Sequence, residues 1–363
     1  IVSHGAPPVD FRVTIYSDPI TTDRQFWCTV SSPHLPEYRD GKRGVWNLKN
    51  TVSETVQGFM ARFTADETGA DQLVAELNGA GLSLFDASPE IFKEVFWKLI
   101  DAKAPLKSIA IVTAEPYFPW ELMIPRRFVG GVSEERDNSL GVHYSIGRWI
   151  DHAVVAPTWK ISLSDSYVIA PDYEGAGDLQ AAAAEAKMVI SHYKGTVIKP
   201  ASFTQIKKML LGEARSLIHF ICHGESAGVG QTLRLEGADT LTSNALTGIR
   251  GLGKMIRSKQ PVVFLNACEV GRTNPALIGV GGFAPAFIQL GASAVIAPLW
   301  SVSDDIAHEI AKEFYQSVRK NPSTPFSEIL SNIRAKAYDE VTGRDTYAAY
   351  CFFGDPLAAA ASD

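Results

Sequence analysis

Two short apolar runs end in residues able to do nucleophilic chemistry. Leu217-Ile218-His219-Phe220-Ile221-Cys222-His223-Gly224 places His223 at the carboxyl end of one strand-like run. Val262-Val263-Phe264-Leu265-Asn266-Ala267-Cys268 places Cys268 at the end of another. Parallel neighbours in a sheet lie about 4.8 Å apart. If these two strands pair in that way, a thiol that can attack a carbonyl and an imidazole that can move its proton rise from one sheet edge. Gly224 has no side chain, so its N–H can approach a substrate oxygen. Together with the N–H of Cys268 it would form an oxyanion hole. No acid is needed to orient His223 where a backbone carbonyl takes the second ring nitrogen. Glu269 gives no help, because a nearby carboxylate raises a thiol's pKa. On spacing alone, the same two residues fit an inert buried cysteine and a structural histidine equally well.

Other patterns compete for attention. Gly224-Glu225-Ser226-Ala227-Gly228 matches GxSxG after a strand, which would make Ser226 the nucleophile of a serine hydrolase. Such an elbow must run straight into a helix, whereas residues 229–235 read as loop and then strand. The one later histidine, His308, falls inside a helical pattern. His219 and His223 are four apart. On a strand that spacing is roughly 13 Å, too far to share a metal ion, so His219 reads as structural. Residues 248–254 match GxxxxGK, but Met255 stands where a phosphate loop needs Ser or Thr, and the run precedes a strand. Gly175-Ala176-Gly177 has Gln180 at the third glycine position, and Lys199 instead of an acid closes the next strand, so it reads as an ordinary strand–helix turn.

Strand ends are useful only if a regular sheet carries them. From residue 160 onward the pattern is regular. Strands are expected at 167–170, 196–198, 217–222, 262–265 and 294–297, with a small hairpin over 233–235 and 240–242. Helices are expected at 179–193, 203–211, 244–257, 283–290, 304–320 and 326–338. In the 304–320 helix Ser303 is a plausible N-cap. Asp304 and Asp305 sit at its positive end and Arg319 and Lys320 at its negative end. Ile306, Ile310, Phe314 and Val318 make its buried stripe. Before residue 150 the reading is patchier. Strands are expected at 11–16, 25–30 and 108–113 and helices at 51–63 and 89–100, and a packed aromatic turn at 115–121 carries two prolines and three aromatics. Strands alternating with helices imply an α/β fold: a layered, mostly parallel sheet with helices on both faces, preceded by an N-terminal α+β region. The expected division is 1–150 and 151–363. In such sheets the site lies past the carboxyl ends of the strands.

Composition bounds the partners. With 46% apolar and 20% charged residues among 363, the chain is not mainly disordered. A net charge of −6 gives no electrostatic reason to bind nucleic acid over the whole surface. Four widely spaced cysteines without a CxxC fit free thiols in a reducing cytoplasm. The first residues have neither a basic nor an apolar signal region, so no signal peptide is expected. Residues 273–303 carry no charge, but glycines and prolines break the run. It reads as loop, buried helix and buried strand instead of a membrane span. No metal or organic cofactor is expected.

The motifs agree, in order, with a known family. His219-Phe220-Ile221-Cys222-His223-Gly224-Glu225 and Asn266-Ala267-Cys268-Glu269-Val270-Gly271 resemble the histidine and cysteine motifs of CHAT-domain proteases. These belong to the caspase-like clan with separases and metacaspases. The likeness continues through residues 282–292, Pro298-Leu299-Trp300-Ser301-Val302-Ser303-Asp304, Phe314-Tyr315 and Phe353-Gly354-Asp355-Pro356. Upstream it includes Pro119-Trp120-Glu121-Leu122, so it spans about residues 108–357. The resemblance implies a caspase-like fold and a cysteine endopeptidase. Cys268 would be the nucleophile and His223 the general base and acid, with the oxyanion held by the Gly224 and Cys268 N–H groups. Trp300, Ser301 and Val302 would line the substrate groove, with Asp304 or Glu225 able to add charge. Relatives that cut after basic residues often carry an acid two positions before the cysteine, and Asn266 stands there instead. The resemblance further implies a dedicated protein substrate, a regulatory protein and a role in bacterial defence. The rival readings are a protease-like scaffold that binds without cutting, and the hydrolase on Ser226.

Overall fold

The computed structural model describes residues 7–17, 24–52, 54–56, 58, 70–151, 153–173, 179, 181–227, 230–268, 282–300, 302–340 and 344–361. Among these residues the dominant feature is a 13-stranded sheet. The first half of the chain gives β1 (Phe11–Ser17), β2 (Gln25–Ser31), β3 (Lys42–Asn47), β4 (Ser108–Thr113) and β5 (Ser145–Ile150). The second half gives β6 (Ser166–Ile169), β7 (Gly195–Val197), β8 (Leu217–Ala227), β9 (Gly230–Arg234), β10 (Thr240–Thr242), β11 (Val262–Cys268), β12 (Ala294–Pro298) and β13 (Tyr350–Phe353). The order across the sheet is β7-β6-β8-β11-β12-β13-β5-β4-β1-β2-β3, and β9 joins the end of β8 to β10. From β7 to β12 every pairing is parallel, as are β13–β5, β5–β4 and β4–β1. The expected α/β sheet is therefore present, and it runs without a break from the first half of the chain into the second.

Helices cover both faces. Alternation along β8 and β11 sends His219 and Asn266 to one face and Phe220 and Leu265 to the other. The first face carries α3 (Ala182–His192) and α7 (Asp304–Lys320), and His219 meets Tyr315 of α7. The second carries α6 (Phe283–Leu290), whose Phe287 packs on Phe220 at 5.8 Å between ring centroids. In the N-terminal part, α1 (Ala70–Ala87) and α2 (Glu90–Asp101) bury an aromatic cluster against the sheet. There Phe92 stacks on Phe11 and meets Trp120 edge-on. The uncharged run of residues 273–303 resolves into α6 and β12, both buried, with 273–281 outside the described residues. No helix among the described residues is long and apolar enough to cross a membrane.

Several boundaries differ from the sequence expectation. The expected helix over 244–257 is two helices, α4 (Ser243–Thr247) and α5 (Leu252–Lys259), split at Gly251, whose φ of +86° suits a residue without a Cβ. The run beginning at Leu217 does not stop at Cys222. It continues to Ala227, and residues 224–227 pair antiparallel with 230–233. The expected helix over 51–63 lies largely outside the described residues.

The join between the two halves rests on a buried ion pair. β13 and β5 share one register pair, Phe353 with Arg148. The Arg148 side chain is fully buried in the sheet centre, where its Nε donates to Glu121 Oε1 at 2.9 Å and Nη2 donates to Glu121 Oε2. Nη1 donates to the Pro116 carbonyl at 2.9 Å. Burial alone would push the Glu121 carboxyl up, but the charge and hydrogen bonds of Arg148 outweigh it and hold it down. Gly147 lets the turn after β13 press close: a Cβ there would stand 2.5 Å from Pro356 N and 2.6 Å from the Gly354 carbonyl oxygen.

A second buried polar cluster floors the strand ends of β8 and β11. Glu185 of α3 is 1% exposed. It accepts from His219 Nε2 at 2.6 Å and from Asn266 Nδ2 at 2.8 Å, and its other oxygen accepts from His308 Nδ1 at 3.1 Å. A carboxylate cannot donate, so His219 carries its proton on Nε2, and Nδ1 is left to accept from the Tyr315 hydroxyl at 2.8 Å. Asn266 accepts from the Tyr350 hydroxyl, which links β13 to the same cluster. Burial favours a neutral Glu185, but the hydrogen bonds from His219 and His308 prevail and lower its pKa. The hydrogen bond to Glu185 raises that of His308.

Two outcomes are expected. Arg148→Met leaves the Glu121 carboxylate buried and unpaired. It should lower the unfolding free energy by about 3–5 kcal/mol, measured by urea denaturation; a loss under about 1 kcal/mol would show that the pair does not hold the join. The raised His308 pKa makes its stabilisation full below pH 6.5, its ordinary value, and lost as pH rises through the folded value. His308→Gln should therefore cost on the order of 1.5 kcal/mol near pH 6, with the Tm gap to the parent protein closing toward pH 9. A gap that is constant with pH would contradict this.

Candidate active site

β8 and β11 are adjacent and parallel, and their register sets His223 opposite Cys268. Register partners on parallel strands share a sheet face, with strand axes about 4.8 Å apart. The backbone thus brings together the two residues singled out from the sequence, at the carboxyl end of the parallel run. His223 is buried. Its backbone N–H donates to the Tyr173 hydroxyl at 3.1 Å, and its ring lies against the Tyr173 ring, 4.5 Å between centroids and tilted by 36°. Tyr173 in turn donates from its hydroxyl to the Arg234 carbonyl of β9 at 2.8 Å. The sequence reading missed Tyr173. The signal was present, since it lies four residues past Ile169, the last residue of β6, on the sheet edge where sites of this architecture gather.

Gly224 follows His223 and pairs with Leu233, so the expected oxyanion donor sits where β8 leaves the parallel sheet and enters the hairpin. Trp300 and Val302 follow β12 and are buried; Ser301 between them lies outside the described residues. Asp304 opens α7. Burial and the nearby charges of Glu185 and Asp305 raise its carboxyl, opposed by a backbone hydrogen bond from Ala181 and by attraction to His223. Glu225 is at a backbone position opposite Thr232.

One sequence alternative is corrected. Ser226 is not on a strand-to-helix elbow: it lies within β8, paired with Gln231, and the chain turns into β9 instead of a helix. His308, the histidine that its triad would need, is bonded to Glu185. His219 is held between Tyr315 and Glu185, as the structural reading expected. Cys28, Cys222 and Cys351 are buried, and burial pushes Cys28 and Cys351 up to about 12 and Cys222 up as well. These three thiols are poor nucleophiles near neutral pH.

Among the described residues no group of His, Cys, Asp and Glu side chains could hold a metal ion. What the arrangement offers is a histidine at the end of the parallel β8–β11 pairing, an aromatic wall against it, a cysteine position in register and a glycine that opens the hairpin.

Comparison with known proteins agrees with the fold. The family model for the CHAT domain matches residues 153–345, more than half of the chain. The match contains β6 to β12 and so both His223 and Cys268. The fold is similar to separase in the Saccharomyces cerevisiae separase–securin complex, with a TM-score of 0.52 and 14% identity over 95% of this chain. This chain spans 30% of that one. A looser similarity links it to the complex of pro- and mature domains of Porphyromonas gingivalis RgpB, at TM-score 0.49 and 14% identity, covering 86% of this chain and 78% of that one. The Drosophila initiator caspase Dronc scores 0.39 at 12% identity, over 58% and 88% of the two chains. No curated protein matches the sequence. The chain belongs to the CHAT domain family, and its fold is that of the caspase-like cysteine proteases.

Proposed function

We propose that this chain is a regulated cysteine endopeptidase that cleaves a specific partner protein through His223 and Cys268. The observation that carries the reading is the parallel register of His223 with Cys268 at the carboxyl end of the sheet. In this reading His223 takes the thiol proton and the sulfur attacks the scissile carbonyl carbon. The resulting oxyanion is held by the N–H groups of Gly224 and Cys268. His223 then returns the proton to the leaving amine as the C–N bond breaks, leaving a thioester. Water, deprotonated by His223, releases the acid and regenerates the thiol. In this reading the segment after β12, with Trp300, Val302 and Asp304, is the substrate wall, and Ser301 is assigned to it from the sequence alone. Residues 1–150 form an N-terminal region packed on the peptidase core of 151–363. Separase was solved with securin bound. Three switches fit this reading: a separate regulatory protein of that kind, a part of the protein outside this sequence, or the N-terminal region. A bacterial defence or signalling role in the cytoplasm is the biological setting of this reading.

The test is a peptide-library and candidate-partner cleavage screen, run with and without proteins encoded nearby. Cleavage should vanish in Cys268→Ala, fall at least about hundredfold in His223→Ala and persist in Ser226→Ala. Cleavage retained in Cys268→Ala would overturn the reading. A wild-type chain inert toward all partners, though bound to one, would favour the non-cleaving scaffold.

A further inference from the structure

Tyr173 makes two separate contacts with His223, and neither is explained by filling space. Its hydroxyl accepts the His223 backbone N–H at 3.1 Å and donates to the Arg234 carbonyl at 2.8 Å. Both hydrogen-bonding roles of the phenol are thus used with the correct polarity, one toward each strand flanking the edge. The Tyr173 and His223 ring centroids lie 4.5 Å apart with the planes tilted by 36°, and the Arg234 guanidinium carbon is 5.5 Å from the Tyr173 ring centroid. An aromatic face beside an imidazole restricts ring rotation and attracts the imidazolium more than the neutral ring. A histidine that must alternate between base and acid needs both: a fixed direction toward its sulfur partner, and support for its charged form.

We propose that Tyr173 is a positioning residue for the dyad, holding the His223 imidazole in its working orientation and favouring the thiolate–imidazolium pair with Cys268. This rests on the reading of His223 and Cys268 as the reacting pair. Among the described residues, the Arg234 guanidinium lies over the Tyr173 ring and Asp304 opens α7. Tyr173 belongs to the segment after β6, so the third strand of the site supplies this wall while β8 and β11 supply the chemistry.

The test needs no substrate. Iodoacetamide alkylation of Cys268 is followed by site-resolved mass spectrometry from pH 5 to 10 in the wild type, His223→Ala, Tyr173→Leu and Tyr173→Phe, with Cys268→Ser as blank. His223→Ala should move the wild-type profile to the range of an ordinary thiol. Tyr173→Leu should move it in the same direction, with roughly tenfold slower alkylation at pH 6. Tyr173→Phe keeps the ring and should keep the profile. Its lost hydroxyl should appear as faster hydrogen exchange at the peptide carrying the His223 N–H. Thermal unfolding separates a structural role, which would lower Tm without moving the profile. A Tyr173→Leu profile that overlays the wild type while His223→Ala shifts would overturn this inference alone. A profile indifferent to His223→Ala would overturn the dyad, and the tyrosine's role with it. Should Tyr173→Leu fail to fold, unchanged exchange in Tyr173→Phe would still count against the proposal.

Discussion

The Glu185 carboxylate is the constraint on which the site depends. A charge buried this deeply costs several kcal/mol unless its oxygens are fully hydrogen-bonded. Here the donors come from His219 on β8, Asn266 on β11 and His308 on α7, while Glu185 itself belongs to α3. No one of these elements can slide without stranding the charge. Two residues beyond Asn266 lies Cys268, and four beyond His219 lies His223. The cluster therefore fixes, from below, the register that sets His223 opposite Cys268. It also gives a physical account of Asn266. An acid at that position would face Glu185 across hydrogen-bond distance, and two carboxylates so placed cannot both ionise cheaply. An amide donates to Glu185 and accepts from Tyr350, which an ionised acid could not do. The amide's place in the floor, and not only substrate choice, accounts for the residue.

The second constraint lies at the centre of the sheet. Arg148 and Glu121 are a charge pair at the narrowest join, where β13 meets β5 through a single register pair. Both polar clusters touch β13: Tyr350 reaches Asn266, and its carbonyl accepts from Arg334 of α8 (Phe326–Glu340). That one four-residue strand ties the N-terminal strands to the strands of the site. It explains why the aromatic turn ending in Trp120-Glu121-Leu122 lies inside the same motif pattern as the histidine and cysteine runs, although it is far from them in sequence.

How much of this was legible depended on how local the physics is. α7 was read to the residue because its stripe of apolar positions and its end charges are local signals. β4 and α6 were equally plain. β5 was missed because a buried arginine interrupts its apolar pattern, and its partner Glu121 is 27 residues away. β3 was missed because only Trp46 of its residues is buried. α1 was hidden by Asn78, Gly79 and Gly81, poor helix formers that the surrounding packing overrides. Gly224 made the end of β8 look like a loop, whereas the hairpin partner β9 extends it. His223 and Cys268 were legible because each closes an apolar run, although β8 continues past His223 into the hairpin. Tyr173 and Glu185 were not, because their roles exist only once three strands and a helix have come together.

The chemistry then follows from placement. The remaining described cysteines are buried and held neutral, and the serine alternative lies in a paired strand instead of an elbow. The most direct measurement is a high-resolution crystal structure of the wild-type chain, read for the distance between Cys268 Sγ and the nearer His223 ring nitrogen. The account requires the two within about 6 Å on one face of the sheet. A cysteine turned to the opposite face, with the imidazole closed off from it by intervening chain, would contradict it.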